Sequence, residues 1–350
     1  MPQPSLSITS KPPIGLDLGE LSMKAVWIDS RGILQASAEL PVEPGVYERG
    51  IIRDPTAARG VLTALLAKLR IPGRVSEVTV SIPESKGFLK IIELPRGLKP
   101  KEIGPTVRDE IQHHFPVKKD EVVFDWQIAP IQKPESELVS VLIAAAPRSV
   151  VEGVVSFLEG SGLRVRGVSI ETVAAANALQ PVEAPWQPSI LADLGASRTS
   201  LALVAFGTLA MSVSVPLSGE LITGEVAAAL GTGKDEAEKQ KISCGLDERA
   251  CPKAYPAIES LFAELARSIS ELSAWSQRAY GERPKKVILS GGGALTKKLP
   301  EYLLEKTGLP AEVGNPLVNI KSTAKNEVIG EPIRFATAVG LALSGAAFGH

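Results

Sequence analysis

Two stretches of the chain share one pattern: IGLDLGELSMKAVWI, residues 14–28, and ILADLGASRTSLALVAF, residues 190–206. Each is an apolar run followed by Asp-Leu-Gly, a short polar patch with a Ser, and a second apolar run. Apolar runs separated by a Gly-containing polar patch predict a β-hairpin in both places. A repeat at such long range indicates that two related domains each carry this hairpin.

Bulk composition favours an ordinary globular protein. The chain has 350 residues, of which 44% are hydrophobic and 22% charged, and its net charge is −1. That length predicts two or three domains, and the alternation of strand-like and helix-like segments predicts an α/β fold. A net charge so close to zero argues against a nucleic-acid partner and against attraction to an anionic membrane surface.

The cysteines suggest no special chemistry. Cys244 and Cys251 are the two cysteines, and their spacing matches neither a zinc site nor a redox CxxC pair. The sequence therefore predicts two separate reduced thiols, which suits a cytoplasmic location.

Neither end of the chain predicts membrane insertion. Residues 1–13 are rich in Pro and Ser and predict a disordered tail rather than a signal peptide. The most apolar segment, residues 335–349, is shorter than the roughly 18–20 residues that span a bilayer, so a buried helix is expected there.

The chemistry of the repeated hairpin suits a polyphosphate. Gly19 and Gly195 let backbone N–H groups approach a ligand closely, and a nearby hydroxyl adds a donor. Asp17 and Asp193 would repel phosphate directly, but each can hold Mg²⁺ through water. Two facing hairpins could then bind a nucleotide and its metal; the alternative is two ordinary hairpin turns.

A third glycine-rich turn, VILSGGGA at residues 287–294, follows an apolar strand and precedes a helix. It can bring backbone close to a flat ligand or to a phosphate at a helix start. It is not a GxGxxG fingerprint, and ALGTGKD at residues 229–235 lacks the Ser or Thr of a P-loop.

These stretches, in this order, resemble the actin-like ATPase superfamily and, within it, the PilM family of type IV pilus assembly proteins, with FtsA as a further relative. Segments such as VSIPESKGFLKIIELP, EIQHHFPVKKDEVVFDW and VSIETVAAANAL are similar to PilM proteins in particular. The resemblance implies an actin-like, ribonuclease H-like two-domain fold, with an inserted subdomain of the FtsA type and nucleotide in the cleft between the domains.

The resemblance also implies subdomain boundaries. The first actin-like subdomain would comprise residues 14–83 and 166–183, with an inserted partner-binding subdomain at 84–165. The second would comprise 188–223 and 285–349, and a helical subdomain at 224–284 would close the nucleotide cleft.

The resemblance assigns ligand contacts by motif. The first phosphate motif corresponds to Gly15, Asp17, Gly19 and Ser22, followed by the basic residue Lys24. The second phosphate motif corresponds to Asp193, Gly195, Ser197 and Thr199. The adenosine motif corresponds to Gly291, Gly292, Gly293 and Ala294. Glu238 and Lys241 match ribose-contacting residues, or else form a solvated pair one helical turn apart. Glu171 matches the position that holds the attacking water, or else is a carboxylate favoured at a helix N-terminus.

Glu20 departs from the family pattern, which has a small residue after the first Gly. A carboxylate 4 Å from a phosphate would cost about 4 kcal/mol at an effective dielectric of 20, roughly a thousandfold in affinity. If Glu20 points to solvent or to the metal, that cost largely disappears. ATP or ADP binding with Mg²⁺ is therefore expected, with at most weak ATPase activity.

The function implied is that of a nucleotide-binding adaptor in the type IV pilus or a related secretion platform. It would bind the cytoplasmic N-terminal peptide of a PilN-like inner-membrane protein, contact other platform proteins, and possess some capacity for self-association. Such an adaptor is cytoplasmic and recruited to the inner face of the membrane. The alternatives are a sugar or acetate kinase on the same fold, or an FtsA- or GspL-like scaffold without nucleotide turnover.

Overall fold

The structure is a computed structural model that describes residues 11–71, 76–115, 118, 120–131, 135–182, 187–324 and 329–347. Most of the tail predicted at residues 1–13 lies outside these ranges.

A six-stranded sheet forms the first domain, with the strand order β10-β6-β1-β2-β3-β16. Its strands are β1 (Ile14–Leu18), β2 (Ser22–Ile28), β3 (Ile33–Pro41), β6 (Glu77–Ile82), β10 (Arg164–Ile170) and β16 (Ser322–Thr323). A separate two-stranded ribbon, β4 (Tyr47–Glu48) with β5 (Ile51–Ile52), follows β3.

An eight-stranded sheet has the order β15-β14-β11-β12-β13-β7-β9-β8. Its strands are β7 (Phe88–Pro95), β8 (Val122–Ile128), β9 (Leu138–Pro147), β11 (Ser189–Leu194), β12 (Thr199–Ala205), β13 (Thr208–Val215), β14 (Val287–Ser290) and β15 (Ala311–Val313).

Five strands of each sheet follow the same plan. β1, β2 and β3 form an antiparallel meander, and β6 and then β10 add to β1 in parallel. β11, β12 and β13 form the corresponding meander, and β14 and then β15 add to β11 in parallel. The repeated hairpins are therefore equivalent parts of two equivalent sheets.

Helices cover and connect these sheets. They are α1 (Pro55–Leu69), α2 (Pro100–His114), α3 (Arg148–Gly160), α4 (Glu171–Leu179), α5 (Gly219–Leu230), α6 (Lys234–Cys244), α7 (Tyr255–Tyr280), α8 (Leu299–Thr307) and α9 (Ala336–Ala347). Their ends follow local sequence signals. The Asp54 side chain caps α1 by accepting from the N–H groups of Thr56 and Ala57, and Gly281 ends α7 in the left-handed conformation.

The inserted unit has a core of its own. Side chains of β7, α2, β8 and β9, from Ile92 to Ala145, form a separate hydrophobic cluster that includes Val107 and Ile111. Helix α3 lies within the range predicted for this unit, yet its Val154 and Leu158 belong to the large cluster shared by the actin-like domains. The separate core thus ends with β9 rather than at residue 165.

The end of the chain returns to the first domain, which corrects the assignment of residues 285–349 to the second. β16 pairs with β3, and Val339 and Ala342 of α9 share a cluster with Val26 of β2. The close packing depends on glycine, because a Cβ on Gly15 would lie 2.1 Å from the carbonyl oxygen of Ala338. As expected, the described part of the apolar segment is helical and its residues from Phe335 to Ala342 are buried, and no helix in the described ranges could span a bilayer.

The prediction of two separate thiols is wrong. The structure joins Cys244 and Cys251 in a disulfide whose Cα atoms are 5.6 Å apart. Cys244 is the last residue of α6, and Gly245 with a φ of 55° turns the chain back on itself. This reversal brings the two side chains within bonding reach, which their spacing in the sequence does not show.

Candidate functional site

The two hairpins turn in the same way. A Cβ on Gly19 would lie 2.5 Å from the carbonyl oxygen of Ser22, and a Cβ on Gly195 would lie 2.9 Å from that of Arg198. In the second hairpin the N–H of Gly195 also donates to the Arg198 carbonyl oxygen over 2.9 Å. The missing side chain at each Gly therefore permits a tight four-residue turn.

The strand registers show which residues correspond. Asp17 lies opposite Lys24 in the first hairpin, and Asp193 lies opposite Ser200 in the second. Counting from each Asp, Arg198 occupies the position of Ser22. The polar patch of the second hairpin therefore presents a guanidinium where the first presents a hydroxyl, whereas the motif match points to Ser197 and Thr199.

Asp17 and Asp193 lie at the ends of the equivalent strands β1 and β11. The Asp17 carboxylate accepts a 3.1 Å hydrogen bond from the Ser81 hydroxyl and lies 3.8 Å from Lys24 Nζ. Burial raises the pKa of Asp193, and the nearby Asp17 carboxylate raises it further. The two acids are close enough to repel, so a cation between them would be stabilised.

Lys24 places a positive charge beside Asp17 and Asp193. Its Nζ donates to the Ser22 hydroxyl over 2.8 Å and lies 3.7 Å from Glu39, whose carboxylate in turn accepts from Arg334 over 2.8 Å. Lys24 is thus held between two carboxylates and is positioned beside the first hairpin turn rather than projecting freely into solvent.

Glu171 is the first residue of α4 and lies near both aspartates. Burial and the negative charge of Asp17 raise its pKa to about 8. Its Oε2 accepts a 3.3 Å hydrogen bond from the backbone N–H of Glu84. The carboxyl group is therefore fixed in orientation and largely protonated at neutral pH.

Glu84 ties the first domain to the second. It lies in the turn after β6, is only 6% exposed, and accepts hydrogen bonds from the hydroxyls of Ser212 (2.9 Å) and Ser214 (2.6 Å) on β13. A buried carboxylate satisfied by two hydroxyls is a strong constraint on geometry. Glu84 therefore contacts both Glu171, through its backbone N–H, and the second sheet, through its carboxylate.

Glu20 points across to the opposite hairpin rather than to open solvent. Its carboxylate forms an ion pair with Arg198 of the opposite hairpin and accepts a 2.9 Å hydrogen bond from the backbone N–H of Arg49. Arg198 also donates to the Ser85 hydroxyl. The residue that departs from the family pattern is therefore matched by a cation in the second phosphate motif.

Tyr47 adds a polar group that motif reasoning did not find. Its side chain is 1% exposed, and within the described ranges its hydroxyl has no hydrogen-bond partner. Burial raises its pKa, with further contributions from the carboxylates of Glu171 and Asp17. A buried hydroxyl without a partner beside these acids is a donor available to a ligand or to water.

The glycine-rich turn packs against β11 and also presents one exposed glycine. Gly291 has a φ of 78°, and a Cβ there would lie 2.5 Å from the Leu194 carbonyl oxygen; a Cβ on Gly293 would lie 2.6 Å from the Leu194 side chain. Both glycines therefore allow close approach to β11. Gly292 faces open space, whereas Ala294 is buried. Gly292 is thus the member of this turn best placed to approach a ligand.

A second polar group lies on helices α5 and α6, which follow the second hairpin meander in the sequence. Glu238 pairs with Lys241 at 2.6 Å, and both contact the hydroxyl of Thr223. Burial disfavours the Glu238 carboxylate, but hydrogen bonds from Lys241 and Thr223 outweigh it and lower its pKa. Lys241 also donates to the Gly219 carbonyl oxygen, so the pair is anchored to α5, while the Glu238 side chain remains 46% exposed. Thr223 could not have been found from a motif.

Asp17, Asp193 and Glu171 thus lie together between the two hairpins, a space called the cleft below. The α6 pair is tied to the second hairpin through Gly219, whose backbone N–H donates to the Gly195 carbonyl oxygen. The structure brings Asp17, Asp193 and Glu171 together and places Gly15 against α9, where it serves packing. Ser197 is half-buried in its turn, while Thr199 is buried. In the described ranges no three His, Cys, Asp or Glu side chains converge as a preformed metal site.

The doubled sheets and facing hairpins define the class as an actin-like two-domain protein with an inserted subdomain. The family model described as type IV pilus assembly protein PilM matches residues 15–346. The chain therefore belongs to the PilM family.

Solved structures agree with this membership. The chain superposes on a structure described as the PilM-PilN type IV pilus biogenesis complex with a TM-score of 0.82 and 26% identity, covering 96% of this chain and 98% of the other. MreB5 of Spiroplasma citri bound to AMPPNP gives a TM-score of 0.56 at 13% identity, covering 97% of each chain, and so shares the fold.

Curated relatives include the cell division protein FtsA of Pseudomonas aeruginosa, 24% identical over 205 residues that make up 53% of this chain. FtsA of Bacillus subtilis is 26% identical over 98 residues, or 28% of this chain. The alignments span 48% and 22% of these relatives' lengths, so less than half of either FtsA is matched.

Proposed function

We propose that this PilM-family protein is a nucleotide-binding adaptor of a type IV pilus or related secretion platform, with ATP or ADP and Mg²⁺ bound between the two hairpins. The main support is the equivalence of the hairpins, which present Asp17 and Asp193 from matching strand ends. Further support comes from MreB5, a protein of the same fold that binds the ATP analogue AMPPNP.

The donor set fits magnesium. Mg²⁺ is usually held by one or two carboxylates together with waters and phosphate oxygens, rather than by a full cage of protein ligands. Asp17 and Asp193 supply those carboxylates, and their mutual repulsion would be relieved by the cation. Bound Mg²⁺ would neutralise phosphate charge, while Gly19 and Gly195 keep the turns tight enough to approach the phosphates.

The base and sugar would lie towards the helical side. Gly292 leaves room for a flat ring system, and Glu238 with Lys241 offers an acceptor and a donor to ribose hydroxyls. Because Thr223 and Gly219 anchor this pair, it is preorganised for such contacts.

Hydrolysis is expected to be weak. Glu171 is the residue proposed to position the attacking water, but burial and the Asp17 charge raise its pKa and so favour its protonated form. A protonated carboxyl can orient water but is a poor acceptor of its proton. Slow turnover suits an adaptor whose nucleotide sets a conformation rather than drives a reaction cycle.

The partner proposed is the cytoplasmic N-terminal peptide of a PilN-like inner-membrane protein, docked beside the inserted subdomain, with other platform proteins and a second copy as further contacts. The likeness to the PilM-PilN complex supports the PilN-like partner. Binding to such a peptide would hold this protein on the cytoplasmic face of the membrane.

Calorimetric titration with ATP and Mg²⁺ tests the nucleotide site. Wild type is expected to bind with micromolar affinity, and Asp17→Ala is expected to lose at least tenfold because one of the two magnesium-facing carboxylates is removed. Asp109→Ala on the outer helix α2 is the matched control and should bind as wild type does.

Absence of binding to wild type with correct folding by circular dichroism would contradict the nucleotide proposal. The protein would then be a scaffold of the FtsA or GspL kind that retains the hairpins as architecture. Equal affinity of wild type and Asp17→Ala would instead show that the nucleotide binds away from the hairpins.

A further inference from the structure

We infer that Arg198 is a phosphate-binding residue for a nucleoside di- or triphosphate, and that Glu20 holds its guanidinium in the nucleotide-free protein and yields it to the phosphates on binding. This inference rests on the proposed nucleotide site and adds to it a residue pair that the motif match does not assign.

The first argument is position. Arg198 takes the place in the second hairpin that Ser22 takes in the first, immediately after the tight Gly turn. Its guanidinium reaches across to Glu20 of the opposite hairpin and to Ser85. A group that spans from one hairpin to the other would be within reach of a polyphosphate bound between them.

The second argument is chemical similarity. A guanidinium presents planar paired donors that match a carboxylate and a phosphate equally well. The Glu20 carboxylate therefore binds the Arg198 guanidinium in the way that a phosphate would. The side chains of this pair are only 18% and 21% exposed, so the charges are mostly removed from water and would be costly to leave unpaired.

The third argument is charge balance. Asp17, Asp193, Glu171 and Glu20 all lie around the cleft, and a nucleotide adds further negative charge. Lys24 is already held by two carboxylates. Arg198 is a cation that faces the opposite hairpin, and it interacts electrostatically with Glu171 and with Tyr47. Magnesium together with Arg198 would offset the phosphate charge better than magnesium alone.

Tyr47 gives independent support that this space receives a ligand. Its buried hydroxyl has no partner in the described part of the chain, and Arg198, Glu20, Glu171 and Asp17 all lie within electrostatic reach of it. A buried donor is rarely left unpaired. A phosphate oxygen held by Arg198 would supply an acceptor in the same neighbourhood.

The test compares single variants whose effects should have opposite signs. Arg198→Ala is expected to weaken ATP and ADP binding by about tenfold to a hundredfold, the loss of a charge-assisted hydrogen bond. Glu20→Gln is expected to tighten binding by about threefold to tenfold, because the competing anion is gone. AMP, which lacks the terminal phosphates, should respond much less to either change.

In the double variant Glu20→Gln/Arg198→Ala, any gain over Arg198→Ala measures only the repulsion between the Glu20 carboxylate and the phosphates, because no guanidinium is left to be released. Glu48→Gln and Arg53→Ala are matched controls, since they alter an exposed Glu–Arg pair at 3.7 Å on and next to the β4–β5 ribbon. Both controls should bind as wild type does.

The outcomes separate this inference from the proposal beneath it. If wild type binds nucleotide and Arg198→Ala binds equally well, the inference is overturned and the nucleotide site stands. If Glu20→Gln weakens binding as Arg198→Ala does, the pair only fixes loop geometry, and the inference is again wrong. A gain of affinity in Glu20→Gln cannot arise from misfolding, and together with a loss of affinity in Arg198→Ala it supports the exchange of partners.

Discussion

At the scale of single residues, the cleft concentrates acids that interact with one another. Burial and neighbouring charges raise the pKa of Glu171 and of Asp193, whereas hydrogen bonds lower that of Glu238 on the far side. The hairpins therefore carry an electrostatic cost that bound cations would relieve. This cost should be visible in how stability depends on pH.

Glu171→Gln is expected to flatten the pH dependence of unfolding. The ordinary pKa of the group is 4.5 and its folded value is about 8, so the folded state favours the protonated form. The resulting stabilisation is complete below about pH 4.5 and is lost as pH rises towards 8. Urea midpoints from about pH 5 to about pH 8.5, without nucleotide, should fall more steeply for wild type than for the variant.

The exposed Glu48→Gln serves as the control for this measurement and should follow the wild-type profile. Parallel profiles for wild type and Glu171→Gln would show that Glu171 titrates normally, and the proposed reason for weak hydrolysis would fail with it.

The site residues that the sequence reveals are those that repeat. Asp-Leu-Gly recurs, so Asp17, Gly19, Asp193 and Gly195 stand out in the sequence alone. Arg198 was missed because Ser197 and Thr199 resemble the polar residues of the first motif more closely, although counting five residues from each Asp pairs Arg198 with Ser22. Tyr47 has no local signal, since a remote ribbon brings it to the cleft.

At the scale of secondary-structure elements, the contact between α4 and α9 positions the cleft. A Cβ on Gly340 of α9 would lie 1.7 Å from the carbonyl oxygen of Ala174 in α4. The backbones therefore touch, and Glu171 sits at the start of the helix so fixed. Helices this close must have a glycine or another very small residue at the crossing.

Gly340→Ala is expected to destabilise the protein by about 1–3 kcal/mol or more, because the added methyl overlaps backbone that has no rotamer through which to escape. Gly153→Ala is the matched control: it lies inside α3, and a Cβ there meets nothing within 4 Å. That change should stabilise by about 0.5–1 kcal/mol. Urea unfolding measures both, and equal shifts would show that α4 and α9 are not in such close contact.

The sequence predicts these helices individually but not their pairing. The small residues of 335–349 indicate burial, and the strand-to-helix passage at 165–179 indicates α4. That α9 returns to the first domain is a matter of topology, since its glycines could have packed against either sheet. The inserted core likewise ends at β9 because α3 has an apolar face that fits the larger cluster.

At the scale of the whole molecule, one sheet runs from the second hairpin into the inserted subdomain. β13 meets β7 with Met211 opposite Lys90, and Gln127 of β8 donates to Thr208 of β13 over 3.0 Å. Glu84 links β13 to Glu171, because its carboxylate accepts from Ser212 and its backbone N–H donates to the Glu171 carboxylate. A change in the angle between the domains would therefore displace the inserted subdomain as well.

Nucleotide is accordingly expected to change the affinity for the PilN-like peptide by about fivefold or more, a typical coupling between sites. Fluorescence anisotropy of the labelled peptide, with and without ATP and Mg²⁺, measures this change. By linkage the peptide must change ATP affinity by the same factor, which calorimetry checks. Equal peptide affinities in both states would contradict the coupling.

Ser212→Ala/Ser214→Ala should reduce that coupling, because Glu84 then loses both hydroxyl donors that tie it to β13. Ser260→Ala on the outer face of α7 is the matched control and should leave it intact. A scrambled peptide of the same composition sets the level of non-specific binding.

The return of α9 to the first sheet has a consequence for how the protein is made. β1 leaves the ribosome early, but the helix that covers it emerges only after the inserted subdomain and the whole second domain. The nascent first sheet therefore has an apolar face uncovered during synthesis, while the inserted subdomain can already complete its separate core. Newly synthesised chains thus pass through a period in which a chaperone, or premature association with another chain, competes with α9 for that face.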